Sequence, residues 1–143
     1  MGMDASRLAL TLADRLAAIA PDGFSITARD GTLWYADEPG SFPWQTGDYQ
    51  ITQASINVRD ALGLHGTAVG EQLAGLAVQA LDVLQDFVSE STGDPWPGTR
   101  AQPEPRATMH GQSLRLWYGG PDPETDAVLA CEPVPLAGLV RVT

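Results

Sequence analysis

The sequence contains no lysine, and its positive charge rests on eight arginines placed singly along the chain: Arg7, Arg15, Arg29, Arg59, Arg100, Arg106, Arg115 and Arg141. Eighteen acidic residues leave a formal net charge of -10. A nucleic-acid backbone would be repelled by such a chain unless basic residues clustered, and they do not. One cysteine, Cys131, excludes an intramolecular disulfide and suits a reducing cytoplasm. It sits in the strand-like stretch 127–132, where a lone cysteine is a small buried hydrophobe rather than a nucleophile. The two histidines, His65 and His110, each lack a second ligand at the three- or four-residue spacing that holds zinc, so neither a metal nor a cofactor is expected. No stretch approaches the roughly 18 apolar residues of a membrane span. Asp4 and Asp14 interrupt the apolar N-terminal residues, which have no basic leader, so no signal peptide is read there either. The absence of lysine beside abundant alanine, glycine, proline and arginine suggests a GC-rich bacterial coding genome.

What is present is helical and strand periodicity within a length of one domain, residues 1–143. Val69, Leu73, Leu76, Ala80, Leu84 and Phe87, with Ala77, Leu81 and Val88 beside them, fall on one helical face. Thr67 is the expected N-cap and Glu71 puts a negative charge in the first turns, while Gly93 and Pro95 end the helix. Gly70 and Gly75 inside it mark either a propensity penalty offset by packing or a close approach of another backbone. Gln72, Gln79, Asp82, Gln85, Asp86 and Glu90 read as its solvated face. An earlier helix, capped by Asp4 or Ser6, runs to about Ala20 with Leu8, Leu12, Leu16 and Ile19 on one side.

Between the helices the period becomes two. Phe24–Ala28 and Thr32–Ala36 form a hairpin about Arg29-Asp30-Gly31, and Tyr49–Val58 is a third strand. Residues 60–66 connect it to the long helix. After that helix the four prolines of residues 94–105 require an extended surface segment, pinned by Trp96. Residues 106–110 and 113–118 flank a primed turn at Gly111-Gln112, and 127–132 is a sixth strand. The expected fold is α+β: a mainly antiparallel sheet of about six strands in the order α-βββ-α-βββ, with both helices on one face.

That element order, the size and the acidic balance resemble the type III secretion chaperones and their relatives, small acidic cytoplasmic dimers that hold partner proteins in extended form along a sheet surface. The resemblance departs at the C-terminus, where those chaperones end in a helix and this chain has Pro133-Val-Pro135 and a strand-like tail. The segments 94–100 and 116–120 also resemble those of a bacterial family of GC-rich genomes, a likeness that implies no activity.

No catalytic motif stands out. Asp82 and Asp86 are four apart on a solvated helix face, and Asp122, Glu124 and Asp126 lack the glycine and distal glutamate of a calcium loop. The aromatic residues carry more information. Trp34-Tyr35 and Trp117-Tyr118 are adjacent pairs in strands, so one ring of each points to each face. With Trp44 and Trp96 in proline-rich loops, they form the candidate partner-binding set, unless those loops fold over them. The expected function is non-enzymatic protein or peptide binding, as a chaperone-like or adaptor homodimer acting through an aromatic sheet face. The alternative is a small hydrolase or anion-binding enzyme built on the Gly63–Gly70 turn with His65, to which Ser55 and Asp60 could contribute.

Overall fold

A computed structural model describes residues 2–37, 53–64, 68–98, 103–137 and 140–141. A two-residue strand, β1 (Gly2–Met3), precedes α1 (Ala5–Ile19). The Asp4 carboxylate accepts the Arg7 N–H at 3.1 Å, meeting one of the donors a helix start leaves over. Leu8, Leu12 and Leu16, four apart, are wholly buried together with Ala5, Ala9 and Ala13. Pro21 disfavours helical geometry in the residue before it, and Ala20 is accordingly extended.

β2 (Phe24–Arg29) and β3 (Thr32–Asp37) are joined through Asp30 and Gly31 at φ 53° and 77°, the type I′ turn whose twist matches that of the strands. β4 (Gln53–Asn57) completes an antiparallel sheet of order β2-β3-β4. The third strand ends one residue earlier than expected. Asn57 accepts the Asp60 N–H at 3.0 Å and opens a short helix, α2 (Val58–Gly63), where a connecting loop was expected. Val58, Ala61 and Leu62 of that helix enter the core.

The long helix, α3 (Val69–Thr92), matches its apolar periodicity. Its N-cap is Ala68, with no side-chain cap; Thr67 lies outside the described residues. Gly93 adopts φ 76° and closes the other end with an N–H bond to Ser89 O at 2.9 Å. One residue of the supposed solvated face is interior. Gln85 is buried, and its Nε2 donates to Pro103 O at 2.7 Å, so it ties the proline-rich segment to the helix.

β5 (Pro105–His110), β6 (Ser113–Gly119), β7 (Ala127–Ala130) and β8 (Val134–Pro135) form a second antiparallel sheet. β5 lies along one side of β6, and β7 and β8 share the other. Gly111 at φ 61° begins a two-residue turn of the primed type. β9 (Val140–Arg141) pairs with β1. The class is therefore the expected α+β with antiparallel pairing, but beside the short β1–β9 pair its described strands divide between two sheets, of three and four, instead of forming one.

α3 takes a hydrogen bond from each sheet. Tyr35 on β3 donates its O–H to Ala80 O at 3.0 Å, and Tyr118 on β6 donates to Leu81 O at 2.6 Å. Both rings are fully buried, so each hydroxyl needs such a partner. Phe24 meets Phe87 edge to face at 5.8 Å. Ser91 Oγ donates to the buried Asp37 carboxylate at 3.2 Å. A continuous apolar cluster draws on all three helices and both larger sheets. Each of its wholly buried leucines contributes about 2 kcal/mol through the water it gives up.

Candidate functional site

The structure separates the six aromatic residues of the candidate partner-binding set. Tyr35 and Tyr118 point inward, and burial pushes both phenols far above their ordinary pKa. Trp117 lies on the opposite face of β6 from Tyr118, yet only 3% of it is exposed. Its Nε1–H donates to Gly120 O at 2.9 Å, as the 119–126 turn folds back across the strand. Arg106, opposite Trp117 in the β5–β6 register, donates from Nε to Gly119 O at 2.9 Å and holds that turn. These three rings are interior and offer a partner no surface. The reason is local: a covering turn hides the outward ring on β6, and α3 covers the inward ones.

Trp96 is half-buried, its ring edge to face with Tyr118 at 5.4 Å, which pins the start of the proline-rich segment as expected. Trp44 lies outside the described residues, as does His65 of the alternative site. Trp34 remains. It sits half-buried at the middle of the outer face of the first sheet, between Thr27 and Ser55, with the Arg29 guanidinium 5.6 Å from its ring centroid. Ser25, Thr27, Arg29, Thr32, Trp34, Ala36 and Ser55 share this face by strand alternation. None of them is acidic, although the chain carries a net charge of -10.

A second surface lies along α3, and aromatic content gave no sign of it. Ala74, Gly75, Val78, Gln79 and Asp82 line an open groove of about 740 Å³, whose other wall is Glu104 and Pro105 at the start of β5. A smaller cleft of about 320 Å³ opens on the far side of the same strand, between Val78, Arg106, Thr108, Trp117 and Pro121. Asp82 has its pKa raised, first by burial and then by the charge of Asp86. Among the described residues neither carboxylate makes a salt bridge. Ala74 and Gly75 on one helix flank were the available signal, since small residues there leave room beside the helix.

The described members of the enzyme alternative, and the one cysteine, differ in setting. Burial pushes the Cys131 thiol up to about 12, against a smaller lowering by Arg15, so it stays protonated at neutral pH. Ser55 and Asp60 are both exposed. Among the described residues no three His, Cys, Asp or Glu side chains cluster as metal ligands, and no helix is long and apolar enough to cross a membrane. No protein-family model matches this chain, and no curated protein or solved structure does.

Proposed function

We propose that this is a non-enzymatic protein-binding protein, chaperone-like or adaptor in character, that acts in the cytoplasm as a homodimer through the outer face of its first sheet. The observation that carries the reading is Trp34: a half-buried indole with an arginine over it, centred on a face that bears no carboxylate among its described side chains. Two copies of a strongly acidic chain repel one another over most of their surface, and an acid-free face is where that repulsion is least. Indole and guanidinium there supply the contact area and the polar bonding typical of interface centres. The resemblance of the expected element order to the type III secretion chaperones is in keeping with this reading, as is the single cysteine with a reducing compartment.

Light scattering over a concentration series tests it. The wild-type chain should approach twice its 15.2 kDa mass, and Trp34→Ala should remain monomeric while keeping its circular dichroism. A wild-type monomer at every concentration, or a Trp34→Ala dimer of unchanged stability, would overturn the assignment.

A further inference from the structure

β5 is the end strand of the second sheet, and α3 runs beside it with a groove between them. Among the described residues β5 pairs only with β6, and no described strand occupies its other edge. The two-residue turn fixes which groups that edge presents. His110 and Ser113 close the turn as a hydrogen-bonded pair, and alternation makes Thr108–Arg115 and Arg106–Trp117 the next such pairs. The Gly119 N–H bond to Glu104 O at 2.9 Å continues the same pattern. The backbone groups of Ala107 and Met109, with the Pro105 carbonyl, therefore face away from β6. Above this edge the Ala74, Gly75 and Val78 flank of α3 overhangs the larger groove, and the smaller cleft lies below it, with Val78 and Pro105 common to both.

We infer that an extended, basic segment of a partner protein adds to the β5 edge as a further strand, its cationic side chains directed to Asp82 and Asp86. Main-chain bonds to Ala107 and Met109 hold the segment, and its alternate side chains enter the groove under α3 and the cleft beside Trp117 and Pro121. Charge selects the occupant. Among the described residues Asp82 and Asp86 make no salt bridge, Asp82 lines the groove, and a positive side chain between the two carboxylates would offset their mutual repulsion. A second copy paired edge to edge would bring two such acidic sets together instead. The inference rests on the reading of this protein as a partner-binding one, but on residues distinct from those of the Trp34 face.

The test uses the full chain and a fluorescein-labelled peptide of alternating arginine and valine, with its glutamate–valine counterpart as control, read by fluorescence anisotropy. The arginine peptide should bind, more weakly as salt rises, and the glutamate peptide should not. Asp82→Asn with Asp86→Asn should weaken binding about fivefold and flatten the salt dependence. Ala107→Pro removes an N–H that β6 does not use, so the edge keeps its fold, yet binding should fall at least about tenfold. Bound peptide should slow hydrogen exchange at the Ala107 and Met109 amides. Equal binding of both peptides, no binding of the arginine peptide, or full binding by a folded Ala107→Pro variant would overturn the inference. So would conversion of a dimer to a monomer by Ala107→Pro, which would give the edge to a second copy. Loss of the dimer in Trp34→Ala with peptide binding intact would concern the sheet face alone.

Discussion

Raising the pH should unfold this protein through three side chains, because no lysine shares the alkaline range with them. Tyr35, Tyr118 and Cys131 all have pKa values raised by burial. In the unfolded chain they return to 10.0 for each phenol and 9.0 for the thiol. The unfolded state therefore loses these protons first as pH rises, and stability that is complete below about pH 9 declines above it. At about pH 11 each phenol accounts for about 1.4 kcal/mol and the thiol for about 2.7 kcal/mol, from 1.36 kcal/mol per pH unit. The sum, about 5.5 kcal/mol, is of the order of a small domain's whole stability. Urea denaturation followed by circular dichroism at intervals from about pH 8 to about pH 11 measures the decline. The double variant Tyr35→Phe with Tyr118→Phe sharpens the test. At neutral pH it loses two hydrogen bonds to helix carbonyls, about 2 kcal/mol together. Across the alkaline range it should then fall by about 3 kcal/mol less than the wild type, so the two curves converge and cross before about pH 11. An ultraviolet titration should show that at most one of the three tyrosines ionises before the fold is lost. Equal alkaline slopes for the variant and the wild type would refute the reasoning.

Three further outcomes follow from particular contacts. Gln85→Leu keeps the side-chain volume but leaves Pro103 O without its donor, and should cost about 1–3 kcal/mol in denaturation while raising exchange or proteolysis near residue 103. Gly119→Ala puts a side chain against the Asp126 carbonyl at φ 145°, and should cost about 3 kcal/mol and shift Trp117 emission toward that of a solvated indole. Cys131 should resist alkylation by iodoacetamide at neutral pH and react fully in urea; rapid labelling of the native protein would show that the thiol is neither buried nor held protonated.

The helices were legible because their signals are local. Leu8, Leu12 and Leu16, and the longer series from Leu73 to Val88, need only a period of 3.6, and Asp4 and Gly93 punctuate them. The Asp30-Gly31 and Gly111-Gln112 turns are equally local. Division of the strands between two sheets was not, since periodicity says which face of a strand is buried but not which strand lies beside it. α2 was hidden by overlap: Asn57 with Asp60 is a capping pattern, but Ile56 and Val58 continue the preceding alternation. At the candidate site the adjacent Trp and Tyr pairs implied opposite faces, which is correct. They could not show that the tyrosine turns inward in both, nor that the 119–126 turn then covers Trp117. Gln85 looked like its solvated neighbours because its partner, Pro103, lies in a segment without any period.

The two tyrosine bonds to α3 have a geometric consequence. Successive carbonyl oxygens of a helix are set about 100° apart around its axis. A donor on Ala80 O from one sheet and another on Leu81 O from the other thus take bearings on the helix from two directions. One bearing would leave it free to roll; two fix its angle and its position along the axis together. The sheets share no strand, and they are aligned to one another through this common rod, much as two gears are phased by one keyed shaft.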